Sequence, residues 1–206
     1  MQEVKWLKQG AEAQLYVDEY LGQPCLVKDR QPKTYRVKEL DEKIRRERTK
    51  QECILLHRAK LAGVRTPLVF KVDRQGKRVF MEFVEGPRLK DALTAKNTGW
   101  CERLGKMAGK LHAAGIVHGD LTTSNVLLHN KAELVLLDFG LGYFSKRVED
   151  QAVDLLVFKK TFEATHFDLP QGWKAVCQGY AEACGQGAAE RVFRQMEEIG
   201  ERARYH

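Results

Sequence analysis

The sequence has no cysteine pair with metal spacing and no long apolar run, and both absences narrow the class of protein. The five cysteines form no C-x-x-C pair and no Cys/His cluster with zinc spacing, which argues against a structural zinc site. No apolar stretch approaches the length of a membrane span, and the first residues lack the apolar core of a signal peptide. We therefore expect reduced, mostly buried thiols in a protein of the cytoplasm, and of the nucleus as well if its source is eukaryotic.

Internal repeats and low-complexity segments are also absent from the sequence. The chain has 206 residues, of which 43% are hydrophobic and 31% are charged. This composition suits a soluble protein with a real core, built as one domain or as two small lobes that share a cleft.

Positive charge is distributed unevenly along the chain. The net charge is +7, and cations cluster between Lys28 and Lys50 and again near the end, at Arg191, Arg194, Arg202 and Arg204. Such clusters suit a polyanionic partner, nucleic acid included. The alternative is a solvated helix face, because four acidic residues are interleaved with the first cluster: Glu39, Asp41, Glu42 and Glu47.

The N-terminal part has the pattern of a small sheet with one helix. Short apolar runs separated by turn residues predict strands at 15–17, 25–27, 68–72 and 79–84. A long charged helix is predicted from Leu40 to Ala62, and Gly63 follows its end. Glu85-Gly86-Pro87 breaks the pattern, so we predict an N-lobe over 1–84, a C-lobe over 85–206 and a hinge near 82–87.

After the hinge, apolar residues recur at helical spacing. This spacing predicts a helix around 100–111, with Asn97/Thr98 as its cap and Gly115 as its stop. Three further helices are predicted near 149–165, 172–184 and 188–204. The last carries an apolar stripe that we assign to core packing: Val192, Met196, Ile199 and Ala203. The expected fold class is α+β.

The most informative segment is His118–Leu128, HGDLTTSNVLL, followed by Asp138-Phe139-Gly140. Two short apolar runs between these motifs predict a hairpin, which would bring Asn125 and Asp138 together at one end. Phosphoryl transfer needs a carboxylate near the attacking oxygen and oxygen ligands that hold magnesium on the phosphates. Asp120 is therefore the candidate base, and Asn125 and Asp138 are the candidate magnesium ligands.

Two residues of the N-terminal part add to this set. Lys28 follows the strand at 25–27, and Glu52 lies in the middle of the predicted long helix. A lysine held by a glutamate can be aimed at the α- and β-phosphates of a nucleotide. The alternative is that Glu52 belongs to the surface charge pattern of its helix.

A turn that covers phosphates is expected just before the first predicted strand, at Gln9-Gly10-Ala11-Glu12-Ala13. It carries one glycine where a Gly-rich loop has three, so the pattern is weak by itself. Ala11 and Ala13 are small enough to let the backbone approach phosphates. Glu12 is unfavourable there unless it faces away or meets a cation. Elsewhere in the cleft, Glu82 and Phe83 are expected to offer backbone groups to adenine.

Two further residues are expected to support the motif rather than to react. His118 is expected to anchor the loop and not to carry a proton. Asp154, on the helix after the Asp138-Phe139-Gly140 motif, is expected to hold the loop by accepting backbone N–H bonds. The alternative for Asp154 is a surface carboxylate.

Taken together, these motifs resemble the protein kinase-like fold and, more narrowly, the small atypical kinases of the KEOPS/EKC tRNA-modification complex, the PRPK family. The likeness runs almost end to end, and it is most specific in KQGAEA (Lys8–Ala13) and HGDLTTSN (His118–Asn125). It also covers shorter segments, within 27–36, 40–41, 48–52, 62–67, 138–141 and 148–155. DFGLGYFS and the C-terminal sequence are more similar to archaeal members than to eukaryotic ones.

This resemblance implies a minimal bilobal fold, with a sheet-plus-helix N-lobe and a reduced helical C-lobe, that uses ATP and Mg²⁺. Lys28 and Glu52 would form the phosphate-clamping ion pair, Asp120 would be catalytic, and Asn125 and Asp138 would hold magnesium. The family implies an atypical Ser/Thr kinase or ATPase that serves tRNA threonylcarbamoyladenosine synthesis. The implied partners are a TsaD-like threonylcarbamoyltransferase, a small Cgi-type subunit and, through the basic clusters, tRNA; no membrane is implied.

The chain departs from ordinary protein kinases at two points. Thr122 stands where those kinases carry a catalytic-loop lysine. Only a short segment without an A-P-E sequence follows Asp138, so we expect the activation loop and much of the peptide-docking lobe to be missing. ATP use inside a complex is therefore expected more than the phosphorylation of free protein substrates.

Two other functions stay open from the sequence. A non-catalytic scaffold with a nucleotide-shaped cleft would not need the complete set of five polar residues that this chain carries. A small-molecule kinase of the aminoglycoside phosphotransferase-like type shares HGDL-x3-N but has a larger C-lobe. An ATPase assay separates the scaffold from the enzymes.

Overall fold

The computed structural model describes the backbone of residues 5–9 and 13–202 and the side chains of residues 13–202. A five-stranded antiparallel sheet with one long helix comes first along the chain. A helical part follows, and it holds two small two-stranded sheets. The predicted α+β class is therefore confirmed.

The larger sheet has the strand order β1-β2-β3-β5-β4. Its strands are β1 (Lys5–Gln9), β2 (Gln14–Tyr20), β3 (Gln23–Asp29), β4 (Val69–Asp73) and β5 (Arg78–Glu82). The four predicted strands correspond to β2 to β5 with their ends shifted, whereas β1 was not predicted.

Strand β3 shows how the sheet positions the later site. Successive side chains of a strand point to opposite faces. Cys25 and Val27 are fully buried and pack with Tyr16 in a small core on one face. Leu26 and Lys28 line a cavity instead.

Helix α1 (Lys38–Leu61) covers this sheet and begins two residues before the predicted start. Its buried residues include Glu52, Leu55, Leu56 and Ala59. The predicted stop is confirmed, because Gly63 has φ +78° and its N–H binds the carbonyl of Lys60 at 2.9 Å. A left-handed residue of this kind suits glycine at the end of a helix.

The helical part contains five α-helices among the described residues. They are α2 (Leu89–Ala92), α3 (Gly99–Ala113), α4 (Val148–Thr165), α5 (Gly172–Cys184) and α6 (Gln186–Arg202). The strands here are β6 (Ile116–Val117), β7 (Val126–His129), β8 (Glu133–Leu136) and β9 (Tyr143–Phe144). The predicted hairpin is the pair β7–β8, and the helices predicted near residues 100, 149, 172 and 188 are α3 to α6.

The predicted cap of α3 is confirmed in position, although it lacks a capping hydrogen bond. Thr98 occupies the N-cap position, but its side chain makes no capping hydrogen bond. The Asn97 side chain accepts from the Thr94 N–H at 2.7 Å and donates to the Ala92 carbonyl at 2.9 Å. The polar residues before α3 therefore stabilise the preceding loop instead of the helix end.

In α6, Val192 and Met196 are buried and Ile199 packs against the core, as the predicted stripe requires. Ala203 of that stripe and Arg204 of the second basic cluster lie outside the described residues.

Arg65, in the segment between α1 and β4, links the sheet to the helical part. Its guanidinium binds both oxygens of Glu82, at 2.8 and 2.5 Å, and lies 3.4 Å from the carboxylate of Glu133 on β8. The Arg65 carbonyl also accepts from the Leu136 N–H at 2.8 Å. One residue thus ties the end of β5 to the hairpin of the helical part.

All five cysteines are free thiols, as predicted. Cys25 and Cys101 are buried, and the other three are partly buried. Among the residues that the structure describes, no helix is both long and apolar enough to cross a membrane.

The core of the helical part depends on a close approach of α3 and α5. A Cβ atom at Gly179 would lie inside contact distance of the Glu102 carbonyl, and one at Gly105 would meet the Val176 carbonyl. Neither obstacle is a flexible side chain, so a methyl group at either position forces the two helices apart.

We expect Gly179→Ala to lower the free energy of unfolding by about 1–3 kcal/mol, because the added methyl overpacks this contact. Gly99→Ala is the matched control, since a Cβ there meets nothing within 4 Å. It should be neutral or stabilising by up to about 1 kcal/mol. Urea unfolding of both variants measures this, and equal stability of the two would contradict the predicted close packing.

Candidate active site

A cavity of about 530 Å³ lies between the sheet and the helical part. Six residues that the sequence predicted for the site line it: Lys28, Glu52, Glu82, Phe83, Asn125 and Asp138. Apolar side chains from both parts complete the wall, among them Leu15, Leu26 and Leu127. An apolar cleft with a few convergent polar groups is the usual form of a small-molecule site.

The predicted ion pair between strand and helix is present. The Lys28 ammonium lies 2.6 Å from a Glu52 oxygen and 2.7 Å from the Asp138 carboxylate. Glu52 is only 1% exposed, so it does not belong to a surface charge pattern. Burial disfavours the ammonium, but Glu52 and then Asp138 outweigh it and raise the pKa of Lys28 above its usual value.

Arg30 is a second cation on Glu52, and its position there was not predicted. Its Nη2 lies 2.5 Å from the other Glu52 oxygen, and the residue is 3% exposed. The two-residue spacing from Lys28 along an extended strand could have revealed a shared face. From the sequence alone, Arg30 is one of the cations clustered between Lys28 and Lys50, a cluster that suggested a polyanionic partner.

Asp120 and Asn125 lie next to each other on the loop before β7. The Asn125 Nδ2 donates to the Asp120 carbonyl at 2.9 Å and to its carboxylate at 2.8 Å. Its amide oxygen is then the atom left for a cation. Asp120 is exposed and does not line the cavity. Its bond to Asn125 nevertheless holds its carboxylate next to a residue that does line the cavity.

The hairpin brings Asn125 and Asp138 together, as predicted. Val126 pairs with Leu136, and the Leu137 N–H continues the ladder to the Asn125 carbonyl at 2.8 Å. Asp138 follows with φ +56°, a left-handed conformation that few residues other than glycine, asparagine and aspartate adopt readily. Its half-exposed carboxylate therefore leaves the strand direction and turns to Lys28.

Electrostatics keep the Asp138 carboxylate ionised. Burial opposes its charge, but the Lys28 ammonium and a 3.1 Å bond from the Gly140 N–H lower the pKa of Asp138 below its usual value. An ionised carboxylate oxygen is the kind of ligand that a magnesium ion prefers.

His118 and Asp154 are the buried supports of the loop, as predicted. Asp154 accepts from the backbone N–H groups of His118 and Gly119, both at 2.9 Å, and lies 3.1 Å from His112 Nε2. His118 is fully buried, with Nε2 at 3.0 Å from the Leu137 carbonyl. Burial lowers the pKa of His118, so the ring is neutral at pH 7 and acts as an anchor.

Glu82 and Phe83 line the cavity, but one expected backbone donor is already engaged. The Glu82 N–H donates to the Leu68 carbonyl at 2.8 Å, and its side chain binds Arg65. A backbone contact from Glu82 to adenine would therefore use its carbonyl. Arg88, which was not predicted, also lines the cavity and donates to the Ser124 carbonyl.

The expected phosphate-covering turn lies mostly outside the described residues. Gln9 ends β1, and Gln14 begins β2. Ala13 is buried, while Gly10, Ala11 and Glu12 fall in the gap between the described ranges. A phosphate-covering turn between β1 and β2 therefore stays a prediction.

Comparison with known proteins places this geometry in a family. Residues 25–155 match the RIO domain family model. The KEOPS complex subunit Bud32 of Pyrococcus abyssi is 41% identical over 98% of this chain and 96% of its own length. The chain is a RIO-domain protein of the Bud32 family. The resemblance found from the motifs is thereby confirmed.

Two bifunctional relatives match this chain over only part of their length. Probable bifunctional tRNA threonylcarbamoyladenosine biosynthesis proteins of Methanothermobacter thermautotrophicus and Methanosarcina mazei are 42% and 46% identical over 97% of this chain. The chain spans 36% and 35% of those proteins, respectively. In them, the Bud32-like module is therefore one portion of a longer polypeptide.

A solved structure supports the fold. The Rio2 kinase of Chaetomium thermophilum, determined as an ADP/Mg²⁺-phosphoaspartate complex, covers 98% of this chain and 72% of its own chain with a TM-score of 0.66. At 14% sequence identity this likeness concerns the fold alone. The predicted bilobal kinase-like fold, with a sheet lobe and a helical lobe, is confirmed.

The structure changes the interpretation of the first basic cluster. Lys28 and Arg30 are buried at the site, and the buried Asp41 pairs with Arg45 at 2.6 Å and with Arg36 at 3.5 Å. The exposed cations of α1 include Lys43, Arg46 and Lys50. Their spacing of three and four residues places them on one face of the helix, which the exposed Glu39, Glu42 and Glu47 share.

We expect Asp154→Asn to destabilise the protein at pH 7 by at least about 2 kcal/mol, because a buried carboxylate loses charge-assisted bonds. Burial raises the Asp154 pKa, but the His112 contact and the backbone N–H groups outweigh it and lower that pKa. The unfolded state then binds more protons, so this stability is present above about pH 4 and is lost as the pH falls below it.

Urea unfolding from pH 3 to pH 8 measures this effect. The gap between wild type and Asp154→Asn should narrow below about pH 4. Asp168→Asn, at an exposed position, is the matched control. A gap that is the same at every pH would contradict the assignment of Asp154 as an ionised hub.

Proposed function

We propose that the protein is an Mg-ATP-dependent atypical serine/threonine kinase or ATPase that acts as a subunit of the KEOPS complex in tRNA threonylcarbamoyladenosine formation. The observation that carries the proposal is the position of the Lys28 ammonium between Glu52 and Asp138, on a cavity that Asn125 also lines. Kinase-like phosphoryl transfer uses this arrangement of lysine, glutamate, aspartate and asparagine.

The residues fit a magnesium ion bound together with a nucleotide. Among residues 13–202, no group of three His, Cys, Asp or Glu side chains could hold a metal by itself. Magnesium is usually held by one or two carboxylates plus substrate phosphates, and Asp138 with the Asn125 oxygen supplies the protein share. The ion would neutralise charge on the phosphates when bound.

The other groups have separate roles in the proposed reaction. Lys28, held by Glu52, would bind the α- and β-phosphates, and the backbone of Phe83 would meet adenine. Asp120 would accept a hydrogen bond from the attacking hydroxyl of water, serine or threonine and so orient its oxygen. The lobes 1–84 and 85–206 would close on the nucleotide about the segment 82–87.

Complex membership is proposed from the relatives. Their names associate this module with KEOPS and with threonylcarbamoyladenosine biosynthesis, as a separate subunit in one case and within a longer protein in others. We propose a TsaD-like threonylcarbamoyltransferase and a small Cgi-type subunit as direct partners, with function in the cytoplasm.

We also propose that tRNA contacts the exposed cations Lys43, Arg46 and Lys50 of α1, together with cations of α6. Arg191, Arg194 and Arg202 are exposed on α6. Phosphate contacts of this kind supply affinity without reading sequence, and they make binding dependent on salt.

The scaffold alternative is disfavoured by the geometry. All five polar residues are present: Lys28 contacts Glu52 and Asp138, and Asn125 is bonded to Asp120. A protein that needed only the shape of the cleft would have no use for a buried ion pair, since apolar residues of similar volume are as stable.

Lys28→Ala and Asp138→Ala should each reduce ATP turnover by at least about 100-fold, because each removes charge stabilisation at the transferred phosphate. The fold should persist, which circular dichroism and urea unfolding check. Arg78→Ala is the matched control, because Arg78 forms its ion pair with Asp73 at the surface of the sheet. ATP hydrolysis is measured as phosphate release.

Retained turnover in both variants would refute the assignment. The same assay with and without tRNA and the transferase subunit separates two forms of the activity. Stimulation by both ligands indicates a switch-like ATPase of the complex, while indifference to both indicates an independent kinase.

Replacing Lys43, Arg46 and Lys50 together by alanine should weaken tRNA binding. The plot of log affinity against log salt should become shallower by roughly 0.9 for each phosphate that the protein no longer neutralises. The control replaces Lys90, Lys96 and Lys174, three exposed lysines of the helical lobe, and keeps the same net charge change. Equal weakening in the two triple variants, measured by filter binding at several salt concentrations, would contradict a specific role for α1.

A further inference from the structure

Glu52 is compensated by two cations, although a kinase-like ion pair needs only one. Lys28 binds one carboxylate oxygen at 2.6 Å, and Arg30 binds the other at 2.5 Å. Both cations and Glu52 are buried, with exposures of 8%, 3% and 1%. Arg30 contacts Glu52, which lines the cavity, but is not itself among the lining residues.

The strand explains why both cations reach the same carboxylate. Lys28 lies in β3 and Arg30 follows its last residue, with the Arg30 N–H bonded to the Lys77 carbonyl at 3.3 Å. Side chains two residues apart on an extended backbone point to the same side. The chain is therefore built to present a lysine and an arginine together to α1.

Arg30 is also held from α1. Its carbonyl accepts from Arg45 Nη1 at 3.2 Å, and Arg45 in turn is bound by the buried Asp41 at 2.6 Å. A Cβ atom added at Gly140 would lie 2.9 Å from the Asp138 carboxylate, 3.4 Å from Arg30 Nη2 and 3.6 Å from Lys28 Nζ. Both cations thus converge next to the Asp138-Phe139-Gly140 turn.

The charge balance shows what a second cation does. In the structure, Lys28 is shared between Glu52 and Asp138. Phosphates at the site must attract Lys28 in competition with Glu52, a buried carboxylate that is costly to leave without a counter-charge. Arg30 supplies that counter-charge permanently, because a guanidinium stays protonated and keeps its geometry.

We propose that Arg30 is a positioning residue that neutralises Glu52 and so leaves the charge of Lys28 available to the phosphates of the nucleotide. This inference rests on the proposed ATP-dependent function and deepens it. Arg30 itself does not line the cavity, so it acts through Glu52 and Lys28. Its effect should therefore depend on the phosphates of the ligand and not on the adenine.

Arg30→Met tests this by comparing two ligands. Affinities for Mg-ATP and for adenosine are measured by titration calorimetry or competition. ATP should bind about tenfold more weakly, which corresponds to about 1.4 kcal/mol, and adenosine should bind within about twofold of wild type. Arg30→Lys keeps a cation near Glu52 and should restore most of the ATP affinity. Arg78→Met, at the surface ion pair with Asp73, is the matched control.

A purely structural role would give a different pattern. If Arg30 only stabilises the packing of β3 on α1, Arg30→Met should lower the affinities for ATP and adenosine by the same factor. That result would overturn the proposal. The double variant Glu52→Gln/Arg30→Met gives a second test that does not require the single variant to fold. With a neutral side chain at position 52, removal of Arg30 should no longer change the ratio of ATP to adenosine affinity; a further tenfold fall relative to Glu52→Gln would overturn the proposal.

The proposed function and the role of Arg30 can fail separately. If wild type does not bind Mg-ATP more tightly than adenosine, the proposed function fails, and the role of Arg30 fails with it. If wild type shows that preference and Arg30→Met keeps it unchanged, only the role of Arg30 is refuted.

Discussion

The buried carboxylate of Glu52 is the constraint on which the geometry of the cavity depends. A carboxylate with 1% exposure must be compensated, since breaking a buried ion pair costs about 3–5 kcal/mol. The compensating cations are Lys28, in β3, and Arg30, which follows the strand, and the observed packing of α1 on the sheet lets both reach Glu52. Because Lys28 also binds Asp138, the same requirement fixes the sheet lobe against the hairpin of the helical lobe.

Asp154 applies the same principle in the helical lobe. Its carboxylate collects the backbone N–H groups of His118 and Gly119 and the ring of His112, and these bonds determine the path of the chain into Asp120. Two buried carboxylates thus organise the two halves of the site separately. Glu52 positions the groups assigned to the phosphates, and Asp154 positions the loop that carries the candidate base. Neither touches the reacting atoms in the proposed function.

The sequence predicts contacts in this site better when the two residues belong to the same hairpin than when they come from separate elements. The register of a hairpin determines which residues lie opposite each other. The proximity of Asn125 and Asp138 could therefore be predicted from two apolar runs and a turn. The pairing of Glu52 with Lys28 was predicted from the motifs and not from the helix pattern, because α1 is charged on most of its surface and its apolar pattern does not identify the face that meets the sheet. Arg30 was missed for a related reason: a cation counted by composition looks like a surface charge until its partner is known. Thr98 takes the predicted N-cap position without a capping hydrogen bond, and the Asn97 side chain bonds within the preceding loop.

Lys28 and Asp138 neutralise each other at 2.7 Å, and they are the two groups that the proposed function assigns to phosphate and to magnesium. In the proposed function, binding of the nucleotide would be an exchange of ion pairs and not a simple addition of new ones. A cation alone would have to separate Asp138 from Lys28, and a nucleotide alone would leave Asp138 without its lysine. If both bound, the phosphates would compensate Lys28 and the cation would compensate Asp138. The charge balance of the site would therefore favour binding of magnesium together with the nucleotide.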